Sequence, residues 1–486
     1  DPDVIRVEDT YYMVSTTMHF MPGCEILQSF DLVHWEHVTY VYETLDHTDA
    51  QQLKSGQNIY GQGMWAASLR YHEGRFYICF VANDTRKTYL YTSEKIDGPW
   101  KKQLIEGFYH DGSLLFDEDG RNYIVYGNDE IWITELNEDL TAPKKDGLHR
   151  LLVSDHKNPE LGYEGSHIQK INGYYYIFLV HSLRDRWMRT EACFYSDSLE
   201  GEFTGGDVLC DDRGYCGQGV AQGGIVDTPD GKWYAMLFQD SGAVGRIPIL
   251  LPVTWKDHFP VFGQNGHVPE EIEVHSTRPG YIYQPLVGSD DFCNGLLPRW
   301  QFNHDPDPRY YHLDALQGTY TITTREVCTE LTQAVNTLTQ RMSYPSCAAE
   351  VTVDASALKE GDVAGLCALQ SCYAAVGITK HHGKYEVLML DKKEDGILDM
   401  TERTVVESHQ MDFRLEADFC NMKDEARCYY RVNKGDWLPI GTVHKLYFKL
   451  DHFTGCRFGL FCYAAEETGG SACFRDFKYY DVDEIS

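Results

Sequence analysis

Asn172-Gly173-Tyr174-Tyr175-Tyr176-Ile177 decides the reading of this chain: a tight turn, an aromatic pair, then the start of an apolar strand. The phrase returns as Glu8-Asp9-Thr10-Tyr11-Tyr12-Met13, Glu73-Gly74-Arg75-Phe76-Tyr77-Ile78, Asp119-Gly120-Arg121-Asn122-Tyr123-Ile124 and Asp230-Gly231-Lys232-Trp233-Tyr234-Ala235. Asp-Gly and Asn-Gly pairs ahead of strands are hairpin punctuation, because both residues tolerate the positive φ that a two-residue turn needs. The shared tyrosines Tyr12, Tyr77, Tyr123, Tyr176 and Tyr234 stand 65, 46, 53 and 58 residues apart. Strand-rich repeats of roughly 40 to 60 residues are the mark of propeller blades. No segment of this half carries helical periodicity over several turns.

Shorter repeats support the same architecture. Ser29-Phe30-Asp31-Leu32-Val33-His34-Trp35, Ser93-Glu94-Lys95-Ile96-Asp97-Gly98-Pro99-Trp100 and Ser196-Asp197-Ser198-Leu199-Glu200-Gly201-Glu202-Phe203 each read as an outer turn closing on an aromatic anchor. The repeats occupy residues 1–275, a Pro/Gly-containing connection follows over 276–288, and the pattern then changes. From 289 to 486 short alternating strands such as Thr319-Tyr320-Thr321-Ile322-Thr323 and Ala349-Glu350-Val351-Thr352-Val353 recur between turn signals, which predicts a β-sandwich. A chain of 486 residues is long enough for two such domains.

The formal charge of -31 comes from 74 acidic against 43 basic residues. That field repels phosphate backbones and anionic lipid, so nucleic acid and membrane surfaces are poor partners and a neutral substrate suits it better. No run of about 18 apolar residues offers a membrane-spanning helix. The 15 cysteines show no CxxC or Cys/His ligand spacing. Free thiols in strand-like segments fit a reducing compartment better than a disulfide framework, so a cytoplasmic location is expected.

Counting back from the repeated tyrosines locates the chemistry. Eleven residues before Tyr12 lies Asp1, and twelve before the other four lie Trp65, Asp111, Glu164 and Gln222. If the blades are equivalent, these five residues occupy equivalent places at the mouth of one channel, and three of them are carboxylic acids. A lone acid more often caps a turn or pairs with an arginine. Three in register across an internal repeat point elsewhere. Glycoside cleavage needs one carboxyl to protonate the leaving oxygen and another to activate water or attack carbon. A third acid nearby raises the proton donor's pKa by like-charge repulsion.

The N-terminal domain resembles glycoside hydrolase family 43, whose five-bladed propeller is followed, in one large branch, by a concanavalin-A-like β-sandwich. The resemblance covers essentially the whole chain. It rests on Asp1-Pro2-Asp3-Val4-Ile5-Arg6, Met64-Trp65-Ala66-Ala67-Ser68-Leu69, Asp111-Gly112-Ser113-Leu114, Tyr163-Glu164-Gly165-Ser166-His167 and Gly245-Arg246. In the second domain, Leu297-Pro298-Arg299-Trp300-Gln301-Phe302-Asn303-His304 and Asn336-Thr337-Leu338-Thr339-Gln340-Arg341 look like that branch's sandwich.

The resemblance implies Asp1 as general base, Glu164 as general acid and Asp111 as the residue that tunes the acid, with Asp3 the alternative to Asp1. It implies that Arg246 hydrogen-bonds sugar hydroxyls, and that Trp65 with Met18, His19 and Phe20 forms an apolar wall around one sugar. Because the family inverts the anomeric centre, it also implies that the Asp1 and Glu164 carboxyls leave room for a water, roughly 6.5–9.5 Å apart. Many relatives carry a channel histidine that helps hold a hydrated calcium; here Gln222 stands in its place. An amide oxygen can ligate a hard cation, so calcium or magnesium in the channel stays open, with no cofactor required for the chemistry.

The two-domain branch is rich in exo-acting enzymes that release one pentose from a small oligosaccharide, because the sandwich lends a loop that closes the pocket. The wording Val220-Ala221-Gln222-Gly223-Gly224-Ile225-Val226-Asp227 with Gly245-Arg246-Ile247-Pro248 looks more like α-L-arabinofuranosidases acting on arabinoxylan-type hemicellulose. The alternatives are a β-xylosidase or an enzyme with both activities, and more remotely an inactive carbohydrate-binding protein. A protein-interaction propeller would give no reason for acids in register.

Overall fold

The computed structural model describes residues 1–481, and among these there is no α-helix, only strands and four short 3-10 turns. Five four-stranded antiparallel sheets, each from a contiguous stretch of chain, account for residues 3–262. Their first strands are Asp3–Val7, Met64–His72, Ser113–Phe116, Glu164–Ile171 and Ala221–Asp227. Each packs on the first strands of both neighbouring blades, and blade 1 meets blade 5, so the five line one central channel. The repeated tyrosines all fall on second strands: Thr10–Val14, Arg75–Ala82, Asn122–Asn128, Tyr174–Ser182 and Trp233–Asp240. At Asn172-Gly173 both turn residues have positive φ, 50° and 84°, as do Glu73-Gly74 at 48° and 77°. This mirror-image turn matches the twist of the strands it joins. The three outer-turn repeats connect the third and fourth strands of blades 1, 2 and 4.

Polar pins hold neighbouring blades in register. Arg70 of blade 2 donates to Asp3 Oδ2 of blade 1 at 2.8 Å, and to Leu114 O at 2.9 Å and Ser113 Oγ at 2.7 Å of blade 3. Asp3, which also accepts the Leu69 N–H, is thereby occupied by structure and fully buried. Arg6 of blade 1 pairs with Asp227 of blade 5 across the closure, over a shared core that includes Val4, Tyr11, Met13, Val226 and Met236.

The second half packs a seven-stranded sheet against an eight-stranded one, with Phe292, Trp300, Val351, Leu366, Phe413 and Phe458 in the layer between them. The eight-stranded sheet takes its edge from the propeller. Phe20–Met21, an excursion from blade 1, pairs antiparallel with Gln301–Asn303. Residues 276–288 carry no strand and lie along blade 1. Arg278 pairs with Asp9 at 2.8 Å, Thr277 Oγ1 donates to Asp9 O, and the Tyr283 hydroxyl accepts the Phe30 N–H.

A buried seam joins the two halves. Its centre is a cluster of rings, with His19 4.8 Å from Tyr60, 4.8 Å from His304 and 5.2 Å from His452 between centroids. Burial drives the His304 imidazole down to about 3 and lowers His19 well below its usual range, so both are neutral at physiological pH. Arg341 of the sandwich pairs with Glu25 of blade 1, and Gln301 Nε2 donates to Pro22 O at 2.7 Å.

Candidate active site

The inner strands do not run straight to the channel mouth. Blades 2, 4 and 5 each carry a register shift at the start of their first strand, between Met64 and Ala67, Glu164 and His167, and Ala221 and Gly224. Such bulges re-aim side chains at the end of a strand. Asp111 and Gln222 adopt positive φ, 47° and 62°. Non-glycine residues held there cost about 1–3 kcal/mol and are kept only where the surroundings over-determine them. Four of the five residues in equivalent positions, Trp65, Asp111, Glu164 and Gln222, thus sit at backbone distortions of the channel mouth.

Three carboxyls come in from three blades. Asp1 Oδ1 receives Arg246 Nη1 at 2.5 Å and its Oδ2 accepts the Thr16 hydroxyl. Arg246 is itself held by Asp240 Oδ1 at 3.3 Å, and Asp240 also binds Arg189. Asp111 Oδ2 accepts the Gly165 N–H at 3.1 Å, while Glu164 Oε2 accepts Asn128 Nδ2 at 2.8 Å. His110 Nε2 sits between the last two acids, 3.5 Å from each. At that distance it is an ion-pair neighbour of both and a formed hydrogen-bond donor to neither.

Electrostatics separate the roles these groups can play. Burial pushes the Asp111 carboxyl up; the His110 charge opposes this, the Glu164 charge adds to it, and the Gly165 N–H opposes it. His110 is raised to about 9, chiefly by the Asp111 charge, against the cost of its own burial and with help from Glu164. It is therefore an imidazolium at neutral pH. Deeper in blade 4, Glu191 Oε2 accepts the Gln222 N–H at 2.7 Å, and burial pushes this carboxyl well above its ordinary range. Glu191 thereby supports the bulge at Gln222.

The wall of the site is shared between the domains. Phe453, from the sandwich loop 446–456, packs edge-on to Trp65 at 5.4 Å and lies 4.2 Å below the Arg246 guanidinium. Phe238 covers that guanidinium's other contact at 4.4 Å. The loop reaches so far because two glycines meet back to back. A Cβ on Gly245 would lie 2.7 Å from Gly455 N, and one on Gly455 would lie 2.0 Å from Val244 O. A backbone bond from Cys456 N to Ala243 O, 2.8 Å, fixes the contact.

Most of the residues singled out from the sequence converge here: Asp1, Trp65, Asp111, Glu164, Gln222 and Arg246. The segment Met18-His19-Phe20 takes a different place from the one expected. His19 and Phe20 are fully buried in the seam, Phe20 beneath the Arg457 guanidinium at 3.6 Å, because this segment serves as the sandwich's edge strand. Met18 lies behind the wall, pairing its backbone with Met64 and touching Thr454 Oγ1 with its sulfur. Sequence reasoning passed over His110, Asn128, Asp240 and Phe453. His110 had a signal, its position beside Asp111 in the register; Phe453 had none, since nothing local ties it to blade 2.

The channel cation left open by the sequence finds little support in the residues around Gln222. Its side chain packs across Gly165, where an added Cβ would lie 2.6 Å from Gln222 Cγ, and among the described residues no trio of His, Cys, Asp or Glu ligand atoms gathers around it. Among the described residues one trio of ligand-type side chains lies within 4.8 Å, namely His110, Asp111 and Glu164. Its imidazole is protonated and two of its members are candidate catalytic acids.

Comparison with known proteins adds to this geometry. Residues 1–260 match the sequence profile described as glycosyl hydrolases family 43, and residues 289–480 match the beta xylosidase C-terminal concanavalin A-like domain. The chain is similar to a bifunctional GH43-CE protein of Bacteroides eggerthii, at 42% identity and a TM-score of 0.91 over 99% of this chain, and it spans 62% of that protein. It is also similar to a GH43 glycoside hydrolase whose engineered active site displays both endo-xylanase and exo-arabinofuranosidase activity. There the identity is 27% and the TM-score 0.87, covering 99% of this chain and 97% of that one. A beta-xylosidase of Formosa agariphila is 26% identical over 99% of this chain and 87% of its own length.

Proposed function

The chain belongs to glycosyl hydrolase family 43, and on that premise we propose that it is an exo-acting, inverting glycosidase releasing single pentoses from arabinoxylan-type oligosaccharides. The observation that carries this is the meeting of Asp1, Asp111 and Glu164 from three blades under a lid residue, Phe453, lent by the sandwich. A channel closed on one side by that aromatic suits the end of a sugar chain rather than its middle.

On this reading each group has a step. Glu164, with Oε2 held by Asn128, carries its proton on the other oxygen and passes it to the glycosidic oxygen as the bond to the anomeric carbon breaks. Water attacks that carbon from the opposite face, and Asp1 takes the proton the water gives up. The Arg246 guanidinium pairs with Asp1 and orients it, and its remaining N–H groups face sugar hydroxyls. The buried indole N–H of Trp65 has no protein partner and is free to donate to another hydroxyl. As Glu164 loses its proton, two adjacent carboxylates would stand beside one another; the His110 imidazolium offsets that charge. The chemistry calls for no cofactor.

Of the two pentoses, α-L-arabinofuranose is the one we favour, supported by the wording of residues 220–227 and 245–248 and by the exo-arabinofuranosidase activity named for one similar structure. The beta-xylosidase name of another relative supports β-xylosides as the second substrate. Nitrophenyl α-L-arabinofuranoside is expected to turn over faster than nitrophenyl β-D-xyloside, and NMR of the first-formed sugar should show the inverted anomer. A xyloside turned over much faster would reverse the ranking, and a retained anomer would refute the mechanism.

A further inference from the structure

Beyond the catalytic centre lies a cavity of about 360 Å³ between blades 4 and 5 and the sandwich. Its volume falls in the range of small-molecule sites, about 300–1,000 Å³. Arg189 and Asp240 line it as an ion pair, and Asp240 also grips Arg246 and through it Asp1, so the cavity adjoins the reaction centre. Opposite them stand Trp187 from the blade 4 loop and Met422, Phe448 and Leu450 from the sandwich. Trp187 is 43% exposed and Leu450 61%, unusual for large apolar side chains. The Arg189 guanidinium lies over the indole, 5.0 Å from its centroid.

We propose that this cavity is the leaving-group subsite, taking the pyranose ring from which the pentose is cut and stacking its C–H face on Trp187. The proposal rests on the glycosidase reading of the channel. A proton donor must lie on the leaving-group side of the scissile bond, and the blade that carries Glu164 also carries Trp187, in the loop joining its second and third strands. An apolar wall facing an aromatic plane, with a guanidinium and a carboxylate beside them, is the chemistry a sugar ring needs. Its C–H face meets the indole and its hydroxyls meet charged hydrogen-bond partners. Blade 4 thus supplies both the acid and the platform, and the sandwich closes the slot.

The test uses two substrates of the intact protein that differ only in the leaving group: an arabinoxylan-derived oligosaccharide and the fluoride of the better-cleaved pentose. Fluoride has no ring to occupy the slot. In Trp187→Ala the ratio of oligosaccharide to fluoride kcat/KM should fall about tenfold, the scale of a lost aromatic contact. Trp187→Phe should restore part of it. Because Trp187 is exposed in a loop, the fluoride rate also reports that the variant is folded. A ratio within about twofold of wild type in Trp187→Ala would overturn the subsite. Failure of the wild-type protein to hydrolyse either substrate would overturn the glycosidase reading and the subsite together.

Discussion

At the scale of single residues, His110 is the most informative side chain in the channel. The Asp111 and Glu164 charges hold its proton to about pH 9, against 6.5 for an ordinary imidazole. The sign is that of a raised base: its contribution to stability is complete below about 6.5 and is lost as pH rises through about 9. Replacing it by glutamine removes a positive charge that favours ionised carboxyls. His110→Gln should therefore lower kcat roughly tenfold and move the alkaline limb of kcat/KM to higher pH. A pH–rate profile superimposable on wild type would show that His110 acts only in packing. The acids themselves were readable from sequence because a register of repeated tyrosines carries their positions. His110 stands beside Asp111 in the same register, but its importance depends on two charges that meet it only in the folded ring. Asp3 is the converse case: one residue from the Asp-Pro motif it looks catalytic, and only the Arg70 pin shows it to be structural.

Among the elements, the hairpin phrase fixed the blades because turn chemistry and strand pattern agree over a few residues. The Phe453 loop obeys no such local rule. Its place depends on Gly245 and Gly455, more than 200 residues apart in the sequence, letting two backbones touch. Gly455 has φ +100°, which a side chain tolerates poorly, and a methyl group there would collide with Val244 O. Gly455→Ala should cost about 1–3 kcal/mol in stability. It should also lower kcat/KM more than tenfold, because Phe453 withdraws from Trp65 and Arg246. Wild-type values for both quantities would mean that the loop does not complete the site. The Met18-His19-Phe20 segment went astray for a related reason. Its aromatics lie close to the channel in sequence terms, but the free sheet edge of the sandwich claimed them, and edge pairing is invisible from one strand alone.

For the whole molecule, the ring of blades and the sandwich are bound by a shared sheet, a half-buried ion pair and a cluster of buried imidazoles. Interfaces between domains of one chain are commonly polar and loose; this one is buried. Unfolding followed by calorimetry should give one transition, since opening the seam strips the sandwich of its edge strand. The transition should also be acid-sensitive. His304 sits near 3 in the folded protein against about 6.5 unfolded, so its contribution is complete above about 6.5 and drains away as pH falls from there towards 3. Two well-separated transitions at neutral pH would contradict the account of the seam. The two-domain order and the all-β class were legible throughout, because strand periodicity and turn spacing are local. The seam was not, because it is written in pairs of residues from opposite halves.

The measurement closest to the centre of the account is the turnover of Glu164→Gln on two leaving groups. An oligosaccharide, whose sugar oxygen must be protonated to depart, should lose about 10²–10⁴-fold in kcat. A dinitrophenyl pentoside, whose leaving group needs no proton, should lose far less. Oligosaccharide hydrolysis at the wild-type rate would contradict the claim that three blades deliver their acids to one reaction centre with Glu164 as its proton donor.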